Sequence, residues 1–419
     1  MALIVQKFGG TSVGTTERIR AVAERIVATH IAGNECVAVV SAMGDVTDEL
    51  LLLARAVNPA PPEREMDMLL ATGEQVTIAL LAMAIHALGH EAISFTGAQV
   101  GIVTDAGHTK ARIQEVRADC VKDALAEGRI VIVAGFQGST PEGQITTLGR
   151  GGSDTTAVAI AAGISADVCE IYTDVDGVFT ADPRVVADAR KIDVISYEEM
   201  LEMAATGARV LQLRSVEFGR NHGVVMHVRS SFNDLPGTIV KEADASMEQA
   251  IISGVTHDTS EAKITIRDVP DQPGVASQVF SALAEANCNV DMIVQNVSEE
   301  GSTDISFTIP KEDLVRAKRT VETMVAHLGA RTWSVDESIA KVSLVGAGMK
   351  THPGVAAQMF TALAEAGVNI DMISTSSIRV SCVISGEQAE QAVRALHETF
   401  GLAEHEVYVE TAPTTGGGN

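Results

Sequence analysis

The chain repeats itself. "PGVASQVFSALAEANCNVDMI" begins at Pro273 and "PGVAAQMFTALAEAGVNIDMI" begins at Pro353, a shift of 80 with fifteen of twenty-one residues identical. A unit copied in tandem builds one small fold twice, so the last third holds two copies of one domain. Each copy follows a strand-like run, "AKITIRDV" or "AKVSLVGAG". In each, Pro-Gly opens a helix with apolar residues at helical spacing (Val275, Val279 and Leu283 in the first), and Asn-x-Asp leads into a further strand. The expected unit is a small α+β domain. Ahead of the repeats "NDLPGTIVKEADASMEQ" is polar and turn-rich, a linker, and the tail "TAPTTGGGN" reads as disordered.

The first part has another texture. The uniformly apolar runs "LIVQKF", "CVAVVSA", "RIVIVAGF" and "VCEIYTDV" alternate with helical patterns. Strands of this kind are buried on both faces, which predicts a mainly parallel sheet covered by helices, with ligands at the carboxyl ends of the strands. Three clusters fall there: Lys7–Ser12, Ser41–Asp45 and Thr173–Asp174. Aromatics make up only 3% of the chain, so aliphatic side chains and methionine must fill the cores. A net charge of −24 argues against nucleic acid as a partner and leaves an anionic ligand only where local cations outvote the whole. Lys7, Arg150, Arg184 and Arg209 are such cations. Five scattered cysteines with no C-x-x-C pair suggest neither disulfides nor zinc, and a reducing cytoplasm is expected. No basic stretch precedes the first apolar run, which disfavours a secretory signal. The run Ile78–Leu88 is too short to span a bilayer and reads as a buried helix, so no membrane association is expected.

Three stretches carry candidate chemistry. In "KFGGTS" a strand ends on Lys7, followed by Phe8, Gly9 and Gly10, whose backbone N–H groups can approach an anion closely. The plainer alternative is a strand-to-helix turn. In "TTLGRGGSD" Arg150 sits in a glycine loop with Gly151 and Gly152, at the positive end of a helix that Ser153 or Asp154 is expected to cap. In "YTDVDGVFTADPR" several carboxylates and Arg184 follow a strand end, suited to a Mg2+-bound phosphate or merely to two turns. Glu74 stands at the start of an apolar helix, where it complements the helix dipole or captures an ammonium group. No histidine clusters with cysteines or carboxylates at metal-ligand spacing, so no protein-held metal is expected.

Taken together, these stretches and the doubled Pro-Gly repeat resemble the aspartate kinases of the amino acid kinase family with tandem ACT domains, over nearly the whole chain. The resemblance implies an αβα kinase domain at 1–245 and ferredoxin-like α+β ACT domains of βαββαβ order at 263–340 and 341–419. The strand-like run 249–258 is expected to complete the second. It implies ATP-dependent phosphorylation of L-aspartate with Mg2+. Lys7, Gly10 and Asp154 would serve the transferring phosphoryl group, with Phe8 and Gly9. Ser41, Thr47, Glu74, Arg150, Gly151, Gly152 and Ser153 would seat aspartate. Thr173, Asp174, Phe179, Asp182, Arg184 and Arg209 would line the nucleotide site, where Phe179 and Arg209 replace the tyrosine and lysine frequent in the family.

By the same resemblance, lysine and threonine would act as effectors at the ACT domains. Gly274, Val275, Ala276, Asp291 and Gln295 are the expected contacts in the first copy, and Gly354, Asn369, Ile370 and Ser376 in the second. Oligomers through the ACT domains are implied, with a small subunit starting at Met247 as an added expectation. Two rivals stand beside this reading: a kinase acting on glutamate or acetylglutamate, and a non-catalytic amino-acid-binding regulatory subunit.

Overall fold

The computed structural model describes residues 1–244, 251–296 and 301–403; Met247 lies outside them. By contacts the chain divides into two units. The first comprises Met1–Phe179, Lys191–Ala205 and Arg209–Glu248, and the second Thr180–Arg190, Thr206–Ala208 and Gln249–Asn419.

The first unit is built on an eight-stranded sheet in the order Val194–Ser196, Thr238–Lys241, Met226–Ser230, Val168–Thr173, Leu3–Phe8, Glu35–Val40, Ile130–Ala134, Ala92–Phe95. All pairings are parallel except the hairpin of Met226–Ser230 with Thr238–Lys241. Cys36, Ala38 and Val40 share one face with a core made by the helices Thr16–Ile31 and Thr72–Ala87. Val37 and Val39 point to the other face and are fully buried too, which is why the strand lacks polar alternation. The helix Gly152–Ile164 packs on the strands Leu3–Phe8, Glu35–Val40 and Val168–Thr173, and almost all its residues are buried.

A smaller sheet escapes the apolar pattern because its strands are only three or four residues long: Ile113–Val116, Ile102–Thr104, Gln137–Ser139, Ile145–Thr147. It feeds the loop that carries Arg150. The apolar run placed at Ile78–Leu88 is also longer than expected. Glu63–Ala87 is long and apolar enough, by length and composition, to cross a membrane. In this fold its Ile78, Leu81 and Ile85 belong to the core of the sheet.

In the second unit each repeat forms its own four-stranded antiparallel sheet. The first runs Ile293–Gln295, Ser302–Pro310, Glu261–Pro270, Thr332–Asp336, with helices Val275–Glu285 and Leu314–Leu328. The second runs Gly254–Asp258, Ile339–Val345, Arg379–Ser385, Met372–Thr375, with helices Val355–Glu365 and Ala389–Thr399. Gly254–Asp258, which precedes the first repeat in sequence, therefore occupies in the second sheet the edge that Thr332–Asp336 holds in the first. Pro-Gly begins each helix through a glycine with positive φ, +96° at Gly274 and +110° at Gly354, where a side chain would be strained.

The two repeats meet through a small apolar cluster of Met292, Ile339, Met372 and Val383. They also exchange charges. Lys263 of the first copy pairs with Asp371 of the second at 2.5 Å, and Lys341 of the second pairs with Asp291 of the first. The lysines come from the two "AK" strand starts and the aspartates from the two Asn-x-Asp turns. The exchange is reciprocal but not equal. Lys341 is 1% exposed and has a second partner, Glu261, at 2.7 Å. Burial opposes its charge, and the two carboxylates outweigh that, holding its ammonium above the usual lysine range.

Candidate active site

Four strands end side by side in the first unit: Val168–Thr173, Leu3–Phe8, Glu35–Val40 and Ile130–Ala134. The chain leaves Leu3–Phe8 for Glu35–Val40 on one side and returns to Val168–Thr173 on the other. The carboxyl end of Leu3–Phe8 is thus where strand order reverses, the usual ligand crevice of an open α/β sheet. Lys7 sits there, 9% exposed, with Nζ 2.6 Å from Asp154 Oδ1 at an angle outside hydrogen-bond geometry. A Cβ on Gly9 would stand 3.3 Å from Lys7 Nζ, and one on Gly10 3.1 Å from Ala42 O. The double glycine is needed for close approach, since Gly9 itself has ordinary extended backbone, φ −72° and ψ 168°.

The Ser41–Asp45 turn is laced to this stretch. Ser41 N–H donates to Phe8 O and Gly44 N–H to Gly10 O, each at 3.1 Å. Thr47 follows in the first turn of the helix Val46–Val57, and both Ser41 and Thr47 are half-buried. Glu74 reaches the turn from the helix Thr72–Ala87. Its Oε1 accepts the Ala42 N–H at 3.0 Å, while Oε2 is buried without a hydrogen-bond partner. Burial pushes its carboxyl up to about 7, against hydrogen bonds from backbone N–H groups, chiefly its own and that of Ala42, that pull it down. A buried, half-satisfied carboxylate of this kind is suited to an incoming ammonium group.

The helix Gly152–Ile164 corrects one expectation. Its N-cap is Gly151, with left-handed backbone at φ 69°, and no side chain caps it. Ser153 and Asp154 stand inside the first turn instead, so the positive end is left uncapped, as an anion site requires. Gly151 is glycine of necessity, because a Cβ there would fall 1.9 Å from Gln212 Cγ. Gly152 is packed against Leu148 and Phe136. Phe136 was not singled out by sequence. It lies two residues past the Ile130–Ala134 strand with φ +67°, a rare state for a bulky residue, and only Gly135 before it hints at a turn there.

Arg150 is exposed, between Gly149 (φ +76°) and Gly151. It lines a cavity of about 570 Å³ with Lys110, Arg112, Arg214 and Glu217; Lys7, Ser41 and Glu74 do not line it. Arg150 is joined to the Lys7 cluster through the backbone of its loop. Among the nucleotide candidates, Thr173 ends its strand with Oγ1 donating to Asp174 Oδ1 at 3.1 Å. Phe179 is half-buried and bridged to Lys191. Asp182 and Arg184 fall in the second unit, paired through Arg184 Nε and Nη2, and this pairing holds the Asp182 carboxyl below the usual range. Arg209 is exposed in the first unit.

Of the effector candidates, Gly274 and Gly354 stand at the N-terminal boundaries of helices whose first turns no side chain caps, beside half-buried Val275 and Ala276 in the first repeat. Gln295, Asn369 and Ser376 are exposed and Ile370 is half-buried, whereas Asp291 is engaged by Lys341.

The residues present fit a phosphate and the ion it carries. The glycine cradle, the uncapped helix and Lys7 suit phosphate oxygens. Among the described residues, no three His, Cys, Asp or Glu gather to hold a metal by themselves. That suits Mg2+, which is taken by one or two carboxylates together with substrate phosphates.

A parallel sheet covered on both faces, with a buried lysine, a glycine cradle and a bare helix start at its switch point, is the frame of an α/β phosphotransferase. The chain matches the amino acid kinase family over residues 2–230 and an ACT domain family over residues 267–324 and 342–400. It is 58% identical over 407 residues to an aspartokinase of Mycolicibacterium smegmatis, covering 96% of this chain and 97% of that one. Among solved structures it resembles E. coli aspartokinase III in complex with aspartate and ADP (R-state), at 26% identity and TM-score 0.82, covering 95% of this chain and 100% of that one. The same enzyme in complex with lysine and aspartate (T-state) matches at 27% identity and TM-score 0.75, covering 94% and 99%. The chain belongs to the aspartokinases of the amino acid kinase family.

Proposed function

We propose that the chain transfers the γ-phosphoryl group of ATP to the β-carboxylate of L-aspartate, giving ADP and 4-phospho-L-aspartate, the step that commits aspartate to lysine, threonine and methionine. The carrying observation is Lys7, buried at the switch point against Asp154 and beside an uncapped helix start. An aspartate side chain with pKa near ~4 is already ionised at neutral pH, so the acceptor needs no general base. The obstacle is charge, because one anion must approach another. Lys7, helped by the backbone at Phe8, Gly9 and Gly10, offsets the charge on the transferring group, and Asp154 orients the lysine.

Glu74 takes the α-ammonium of aspartate with its unpartnered Oε2, Arg150 takes the α-carboxylate, and Ser41, Thr47 and Ser153 position the remainder. Thr173, Asp174, Phe179 and Arg209 bind the nucleotide, and Mg2+ enters with it to neutralise phosphate charge. Lysine and threonine bind the ACT pair at Gly274–Ala276, Gln295, Gly354, Asn369, Ile370 and Ser376. They inhibit through differential affinity for two kinase conformations. The enzyme works in the cytoplasm as an oligomer joined through its ACT domains, with a companion subunit starting at Met247.

The test is an aspartyl-hydroxamate assay with ATP and Mg2+. Lys7→Ala should lower kcat by about 10²–10³-fold, the usual effect of removing one donor to developing charge. Absence of aspartate-dependent hydroxamate from the wild type would refute the assignment, and preference for glutamate would redirect it to the rival kinase.

A further inference from the structure

The first unit holds a buried carboxylate for which the phosphoryl-transfer reading has no use. Asp67, in the helix Glu63–Leu70, is fully buried and accepts from three neighbours. Thr147 Oγ1 donates to Oδ1 at 2.5 Å, Thr109 N–H lies 3.0 and 3.1 Å from its two oxygens, and His108 Nδ1 is 2.7 Å from Oδ2. These partners come from two separate segments. Thr147 ends the strand that runs directly into Leu148, Gly149 and Arg150. His108 and Thr109 belong to the loop beside it, where Thr109 adopts φ +66°.

The two segments touch where Arg150 is held. Ala111 N–H donates to Thr147 O at 3.0 Å, and a Cβ on Gly149 would stand 3.0 Å from Thr109 O. Arg214 closes the far side, donating to Leu148 O at 2.6 Å and to Ala111 O at 2.9 Å. A loop with left-handed glycines on both sides of Arg150 has little stiffness of its own. Its position must come from the anchors, and two charged side chains grip both flanking segments: Arg214 through the backbone carbonyls of Leu148 and Ala111, and the fully buried Asp67 through Thr147 and Thr109.

We propose that Asp67 is a positioning residue for aspartate binding: through Thr147 and Thr109 it sets the place from which Arg150 meets the substrate carboxylate. The proposal rests on the reading of Arg150 given above. A group that only helped folding would alter every kinetic constant alike, whereas a group acting through Arg150 alters the constant for aspartate alone.

The experiment is steady-state kinetics on the full chain. Asp67→Asn should raise KM for aspartate at least ~10-fold, with kcat within ~3-fold of wild type and KM for ATP unchanged. Thr147→Val, which keeps the shape and the fold, should shift the same constant in the same direction by ~3-fold. Adding Asp67→Asn to Arg150→Ala should raise KM by less than ~2-fold further, because the two act as one unit. Parallel changes in kcat and both KM values, or full additivity in the double variant, would overturn the proposal. A normal KM for aspartate in Arg150→Ala alone would instead overturn the role given to Arg150.

Discussion

Replacing Lys341 with methionine should destabilise the ACT pair far more than the same change at Lys263, although the two lysines hold equivalent places in the two copies. Lys341 has a side chain 1% exposed, and its loss strands Glu261, whose side chain is 9% exposed and whose Oε2 already lacks a hydrogen-bond partner. Breaking a buried pair from one side costs about 3–5 kcal/mol, because the remaining charge is left without compensation. Lys263 is 19% exposed and its partner Asp371 36%, so water replaces the lost partner and the cost should stay within about 0–1 kcal/mol. The assay is built into the sequence. Trp333 is the only tryptophan, and it lies in the edge strand Thr332–Asp336 paired to the strand that carries Glu261 and Lys263. Its fluorescence under urea follows the second unit in the full chain. At a slope of about 2 kcal/mol per molar urea, Lys341→Met should move the midpoint down by about 2 M and Lys263→Met by less than about 0.5 M. Glu261→Gln placed on Lys341→Met should recover most of the loss, since a neutral pair no longer strands a charge. Equal shifts for the two lysines, or no recovery in the double variant, would refute the reasoning.

Glu74→Gln should separate binding from stability. The folded carboxyl titrates near 7 against an ordinary 4.5, so the folded state holds this proton more tightly than the unfolded chain does. Its contribution is therefore fully present below about 4.5 and lost as pH rises through about 7, reaching about 3 kcal/mol of penalty above that. The glutamine variant should gain stability at pH 8 and none at pH 4.5, measured as the difference in urea midpoint, while KM for aspartate rises. In the wild type that KM should fall as pH rises through about 7 and the carboxylate becomes available to the ammonium; a wild-type profile identical to that of the variant would count against the assignment. All five thiols have raised pKa, Cys36 and Cys382 to about 12 through burial. Iodoacetamide at pH 8 should therefore modify Cys120, the one cysteine not buried, well before the rest, and a second fast-reacting thiol would contradict the packing.

The mainly parallel sheet was legible because a strand buried on both faces has no polar positions to hide it. "CVAVVSA" can be little else, and the strand Glu35–Val40 follows. The small sheet was illegible for the opposite reason: Gln137–Ser139 and Ile145–Thr147 are three residues long and polar, too short for any period to show. The same contrast governs the site. Lys7, Gly9 and Gly10 stand in one short run, and their chemistry is local. Phe136 and Asp67 act through neighbours distant in sequence, and a phenylalanine with positive φ leaves no mark in composition. Expecting Ser153 or Asp154 to cap their helix followed a sound local rule. It failed because Gly151 turns the chain into the helix two residues before Ser153 and leaves the first turn open to a ligand.

The exchanged lysine–aspartate pairs show what a repeat reveals and what it withholds. Both "AK" and both Asn-x-Asp turns are visible as doublets, and within a single copy lysine and aspartate would be natural partners. The structure pairs each lysine with the other copy's aspartate, a choice set by the way the two sheets meet and by nothing in either copy. Duplication makes such an exchange self-consistent, since one contact, once favourable, occurs twice. Divergence then needs to act at one position only. Glu261 stands where the second copy has Ile339, so Lys341 has a second, buried carboxylate partner in addition to the Asp291 pairing that mirrors Lys263–Asp371. The chain leaves a buried charge half-satisfied at Glu74, where a ligand is to supply the partner, and satisfies one twice over at Lys341, where the fold itself is the partner.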